Sequence, residues 1–104
     1  VYKYIGGCKV KNITAEELKT KLSENIRVID VREGYEYSNG HVPGAINIPM
    51  SEIVGRVSEI KEGDYIICQS GARSTNVCQW LEMQGLTITN VQGGTSSFRG
   101  VLEY

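Results

Sequence analysis

The sequence predicts an α/β domain with a mainly parallel central sheet and helices on both faces. Three observations carry that expectation. Two short runs, Ile26-Arg27-Val28-Ile29-Asp30-Val31 and Tyr65-Ile66-Ile67-Cys68, are rich in β-branched residues, as strands buried on both faces are. Segments with apolar residues at helical spacing fall between and after them. The two kinds alternate along the chain in the order β-α-β-loop-α-β-α-β-α, the pattern of strands joined by helical crossovers.

Taken in order, Ile13-Thr14-Ala15-Glu16-Glu17-Leu18 reads as a helix start. Thr14 can cap the amide of Glu17, Glu17 can reach back to Thr14, and Ile13 can staple onto Leu18. That helix is expected to end near Glu24, ahead of the strand over 26–31. From Arg32 to Pro49 the chain carries Gly34, Gly40, Pro43, Gly44 and Pro49, which predicts mostly loop with a short strand at Ala45-Ile46-Asn47. A loop of that length in a small domain usually has a task. Ser51 is then expected to cap a helix with Ile53, Val54, Val57 and Ile60 on one face and Gly63 as its stop.

After the strand over 65–68, Gln69 to Ala72 forms a turn. A helix follows from about Arg73 to Gln84, with Val77, Cys78 and Leu81 inward and Gly85 at its end. The last strand is expected over 87–91 and a final helix over 95–102, with Phe98, Val101 and Leu102 facing the core.

With 104 residues the whole chain, 1–104, is expected to form one domain. Its hydrophobic fraction of 40% and charged fraction of 22% are those of a soluble globular protein. Lys plus Arg total 11 and Asp plus Glu total 12, so the charge balance argues against nucleic acid or an anionic membrane as partner. No apolar run approaches the roughly 20 residues of a spanning helix. A cytoplasmic location is the default expectation. The start at Val1 fits a processed product or a domain of a longer chain. Cys8, Cys68 and Cys78 fit neither a disulfide framework nor a four-ligand zinc site, and with His41 as the single histidine no metal is expected.

The chemistry centres on Cys68. In open parallel sheets ligands bind beyond the carboxyl ends of the strands, where Cys68 falls. A turn leading into a helix aims unpaired backbone N–H groups at one spot, and the helix dipole adds positive potential. A thiol there ionises more readily than a free cysteine, because those dipoles and the Arg73 guanidinium favour the thiolate. The same cradle suits an anionic substrate.

Three ordered motifs now support a resemblance. Asp30-Val31-Arg32-Glu33, Tyr37 and Gly40-His41-Val42-Pro43-Gly44-Ala45-Ile46-Asn47-Ile48-Pro49 resemble the first signature of the rhodanese family. Cys68-Gln69-Ser70-Gly71-Ala72-Arg73-Ser74 resembles its active-site loop, and Val91-Gln92-Gly93-Gly94 with Phe98 its closing motif. The match runs from about Asn12 to Leu102. It implies a rhodanese-like three-layer fold whose sheet has five mainly parallel strands, and a ping-pong sulfur transfer without cofactor. Cys68 would take a sulfane sulfur from a small anionic donor such as thiosulfate and pass it to cyanide, a thiol or a protein acceptor. Gln69, Ser70, Gly71, Ala72 and Arg73 would bind substrate, with Asp30, Arg32 and Ser74 in support. Gly34 stands where relatives often have Pro, and Phe98 where they often have Trp; both departures bear on packing.

Two competing functions remain. A non-enzymatic sulfur carrier or interaction domain would hold sulfur on Cys68 without turning over small donors. A phosphatase or arsenate reductase is disfavoured because related phosphatases space Cys and Arg one residue further apart than Cys68 and Arg73. Among the other residues, Cys78 reads as core, and Cys8 as either a surface thiol or a resolving partner. Asp30 and Arg32 read as an ion pair or turn cap fixing the long loop, and His41 as a hydrogen-bonding pin for its turn rather than a general base. Trp80 is a candidate partner-surface residue, and the tyrosines are scattered packing and surface residues.

Overall fold

The computed structural model describes residues 10–104; Cys8, Tyr2 and Tyr4 lie outside the described residues. Five strands form one sheet: β1 (Lys11–Thr14), β2 (Val28–Asp30), β3 (Ile46–Asn47), β4 (Tyr65–Ile67) and β5 (Thr89–Gln92). They lie in the order β1-β5-β4-β2-β3, and every pairing is parallel. The helices are α1 (Ala15–Lys21), α2 (Gly34–Ser38) and α3 (Ala72–Met83). Among the described residues no helix is long and apolar enough to cross a membrane.

The pleat divides the core in two. Ile29 and Ile66 are register partners and point to one face, where they join Ile53 and Ile60 with Val77, Cys78 and Leu81 of α3. Val28, Ile67 and Val91 point to the other, where they meet Ala15 and Leu18 of α1, Val42, Ala45 and Phe98. Both faces are covered, which is why the strands read as near-continuous apolar runs.

The first helix starts as its sequence requires. Thr14 Oγ1 accepts from the Glu17 amide at 3.1 Å, and Glu17 Oε1 accepts from the Thr14 amide at 2.8 Å. It ends at Lys21, three residues before the expected stop. The strand that the alternation demanded ahead of it is β1, at one edge of the sheet.

Three expectations need correction. The segment over 32–49 is mostly loop with the short strand β3, as expected, but it also holds an unexpected helix: α2 forms because Glu36 Oε1 accepts from the Glu33 amide at 3.0 Å and the Glu33 carbonyl accepts from Glu36 and Tyr37. The segment after Pro49 winds as a 3-10 helix, Met50–Glu59, rather than an α-helix. Gly55 weakens the α form, Arg56 breaks the run at φ −122°, ψ 16°, and Val54 is 71% exposed rather than inward. Ser51 does not cap it, since its hydroxyl donates to the Glu33 carboxylate at 3.1 Å.

The third correction is at the carboxyl end. The expected helix over 95–102 is one 3-10 turn, Thr95–Ser97, followed by extended chain. Phe98 is buried, but Val101 is 86% exposed. The chain instead returns to the long loop, where His41 and Glu103 exchange two backbone hydrogen bonds of 2.8 Å. Gly100 permits this path, because a Cβ there would lie 2.6 Å from the Phe98 ring.

Candidate active site

Parallel pairing puts the carboxyl ends of all the strands at one edge, and β4 releases Cys68 there. Two backbone amides and one hydroxyl converge on Cys68 Sγ and the loop folds around it. The Gly71 amide lies 3.1 Å from the sulfur and the Ser74 amide 3.3 Å; Ser74 Oγ lies 3.4 Å away and accepts from the thiol. Gly71, at φ +107°, makes the turn that brings these groups together just before α3 begins. Burial pushes the thiol pKa up, but hydrogen bonds from the Ser74 hydroxyl and the amides of Ser74, Gly71 and Ser70 outweigh it, so Cys68 lies below the ordinary thiol value.

The residue is nonetheless fully covered, with 0% exposure, beneath the half-exposed Gln69 and Gly71 and the exposed Ser70 and Ala72. The sulfur therefore sits directly under the loop's own backbone.

The loop carbonyls are turned away from the sulfur by the segment after β5. Thr95 donates its amide (2.9 Å) and its hydroxyl (3.2 Å) to Cys68 O, and Ser96 donates its amide to Gln69 O at 3.0 Å. With those carbonyls held outside, the amides are free to face inward. Gly93 and Gly94 allow the approach.

The ring is narrower than the sequence implied. Of the loop amides, those of Gly71 and Ser70 act on the sulfur, joined by that of Ser74. Gln69 enters through its side chain, which accepts from Arg32 Nη1 at 3.1 Å, and Ala72 opens α3 at the surface. Arg73 gives both guanidinium nitrogens to Glu36, at 2.7 and 2.9 Å, which holds the Glu36 carboxyl down at about 2. It braces the loop against α2 while its charge still acts on Cys68.

Asp30 and Arg32 form the ion pair read from the sequence. Arg32 Nε and Nη2 lie 2.8 to 3.1 Å from the Asp30 carboxylate, whose Oδ1 also accepts the Arg32 amide at 3.0 Å. Nη2 continues to the Gly40 carbonyl at 2.8 Å. One buried guanidinium thus ties β2, the long loop and the cysteine loop together. His41 pins its turn: its ring stacks on Tyr37 with centroids 3.7 Å apart, and Nδ1 lies 3.0 Å from Tyr37 O. Cys78 is fully buried, and burial pushes its pKa up to about 12.

Sequence reasoning missed Glu36 as the partner of Arg73. It also missed Asn47, whose amide donates to the carbonyls of Asp30 at 3.0 Å and Arg32 at 2.8 Å, and the clamp made by Thr95 and Ser96. The Glu33-to-Glu36 spacing was a visible helix-start signal for the first. The other two depend on long-range contacts that leave no local mark.

Comparison with known proteins adds to this geometry. The family model described as Rhodanese-like domain matches residues 14–100. The Bacillus subtilis (strain 168) protein YtwF is 38% identical over 96 residues, 88% of this chain and 93% of its own. An Allochromatium vinosum protein named Sulfurtransferase is 39% identical over 90 residues, 82% of this chain and 84% of its own. A crystal structure from Staphylococcus saprophyticus subsp. saprophyticus superposes with TM-score 0.84 at 39% identity, covering 91% of this chain and all of that one.

Proposed function

The chain belongs to the rhodanese-like domain family, a sulfurtransferase family, and from that premise we propose that it carries a sulfane sulfur on Cys68 between a small anionic donor and a thiophilic acceptor. The observation that carries this reading is the sulfur at the end of β4, met by the Gly71 and Ser74 amides at 3.1 and 3.3 Å. These dipoles stabilise negative charge on whichever sulfur occupies the cradle, whether the thiolate or the outer atom of a persulfide.

The steps balance without a cofactor. The Cys68 thiolate attacks the outer sulfur of thiosulfate; a Cys68 S–S bond forms as the donor S–S bond breaks, and sulfite leaves with the electron pair. Cyanide or a thiolate then attacks the outer sulfur of the persulfide. The product is thiocyanate or a new persulfide, and the Cys68 thiolate returns. Ionisation precedes the attack, so no general base is required. A cleft lined by Arg32, Glu36, Asn39, Gln69 and Ser96 opens beside the loop and offers the donor an approach.

A second reading, a carrier domain loaded and unloaded by dedicated partners, is favoured by the complete coverage of Cys68. Incubation with thiosulfate and cyanide separates the two. Thiocyanate formation abolished by Cys68→Ala supports the enzyme. A stable adduct of about 32 Da on Cys68 without turnover supports the carrier. Neither adduct nor turnover would overturn both.

A further inference from the structure

Asn90 is an amide inside a parallel sheet: it sits on β5, between β1 and β4, and is 2% exposed. It is register partner to Ile66 and faces α3. Its Nδ2 donates to Asn12 Oδ1 at 2.9 Å and to Thr75 Oγ1 at 3.2 Å, while its Oδ1 is buried without a partner. A buried orphan of this kind asks for an explanation.

The direction of each bond supplies one. Asn12 Nδ2 donates to Val10 O at 3.2 Å, so its Oδ1 can only accept, and this fixes the Asn90 amide with nitrogen toward both neighbours. Thr75 Oγ1, accepting from Asn90, must spend its one proton elsewhere. It donates to Gly71 O at 2.6 Å. Flipping Asn90 would satisfy its oxygen but would draw the Thr75 proton away from the loop.

Gly71 O has two other donors, the Thr75 amide at 3.1 Å and Ser74 Oγ at 3.2 Å. The Ser74 hydroxyl also lies 3.4 Å from Cys68 Sγ. In the thiol form the sulfur donates to Ser74 Oγ, and the hydroxyl proton can rest on Gly71 O. When the sulfur ionises it can only accept, so Ser74 must turn its proton from Gly71 O to the thiolate.

The geometry points to Thr75, aligned by Asn90, as a positioning residue whose hydroxyl keeps a second hydrogen bond on Gly71 O, beside that of the Thr75 amide, when Ser74 turns to the ionised sulfur. This rests on Cys68 being the working thiol, but not on what it reacts with. Charged and titratable groups around the sulfur come from α3 (Arg73 and Cys78), from α2 (Glu36, through Arg73) and from the Asp30–Arg32 pair, which reaches the loop through Gln69. None of them is altered by changing Thr75.

The test is the pH dependence of iodoacetamide alkylation at Cys68, followed by peptide-resolved mass spectrometry so that Cys8 and Cys78 do not contribute. Thr75→Val removes the hydroxyl at nearly constant shape. It should raise the Cys68 midpoint by about one pH unit, roughly a tenfold loss of thiolate near neutrality. Thr75→Ser should restore the wild-type midpoint, and Asn90→Leu should shift it in the same direction by less. A protein in which the valine variant does not fold is tested with Thr75→Ala, for which the same shift is expected. An unchanged midpoint in the folded variant, or a shift that serine does not reverse, overturns the assignment. Because alkylation needs no sulfur donor, failure here is distinct from failure of sulfur transfer.

Discussion

Gly94 shows how little freedom the cysteine loop has. Its φ is +60°, and a Cβ there would fall 2.6 Å from the carbonyl carbon and oxygen of Gln69, and closer still to Cys68 O. These are backbone atoms and cannot swing aside. Gly94→Ala is therefore expected to cost about 2–4 kcal/mol in urea unfolding and to reduce sulfur transfer sharply, because the Thr95 and Ser96 amides would be displaced with it. A loss below about 0.5 kcal/mol would mean the close approach is dispensable. The two described thiols make a second contrast at this scale. Cys68, held below the ordinary thiol value by its donors, should alkylate progressively from below that value, whereas Cys78, raised to about 12 by burial, should stay unmodified until the protein unfolds. Equal alkylation rates at pH 8 would contradict the cradle. Cys68 and Cys78 were legible because their neighbours in sequence define their settings. Glu36 and Asn90 were not: Arg73 lies 37 residues from Glu36, and Asn12 lies 78 from Asn90.

Between elements, the Glu36–Arg73 pair is the tie joining α2 to the start of α3. The Arg73 guanidinium lowers the Glu36 carboxyl from 4.5 to about 2. A carboxylate whose folded pKa is depressed contributes stability that is fully present above about 4.5 and is lost as pH falls toward about 2. Glu36→Gln should then be less stable than wild type near neutrality by about 1 kcal/mol, the pair being partly exposed, and the difference should vanish toward pH 2. Thermal melts of both proteins across that range measure it. A difference that persists unchanged at pH 2 would assign the loss to packing. At this scale the sequence was a partial guide. Hydrophobic spacing says which residues face inward, not whether each amide closes onto the fourth carbonyl back. Hence Ile53 and Ile60 were placed correctly, while the 3-10 winding over 50–59 was not, and with the change of winding Val54 turned outward. The same blindness turned a single turn over 95–97 into a helix, since Phe98 and Leu102 are equally able to reach the core from extended chain.

Across the molecule, the sheet order places the successor of β2 on one side and the successor of β4 on the other, so the crevice between their carboxyl ends is the topological switch point. The alternation of elements predicted such a sheet, and the motifs placed a cysteine and an acid–arginine pair at its edge; what they could not give is that one guanidinium spans the crevice. Arg32 is 3% exposed and bonds Asp30 below, Gln69 on one side and Gly40 on the other. Two substitutions separate its charge from its shape. Arg32→Leu leaves the Asp30 carboxylate buried without a counter-charge and should cost about 3–5 kcal/mol. Arg32→Lys keeps the charge, but a single ammonium cannot reproduce a fork that reaches three groups. The lysine variant should be about 1–3 kcal/mol less stable than wild type and yet lose at least about tenfold in sulfur transfer, because Gln69 is no longer held and the loop over Cys68 loses its register. Urea unfolding at pH 7 beside thiosulfate:cyanide kinetics reads both. Full activity in the lysine variant would show that charge alone sets the loop, and a leucine variant as stable as the lysine one would show that Asp30 does not need a buried cation.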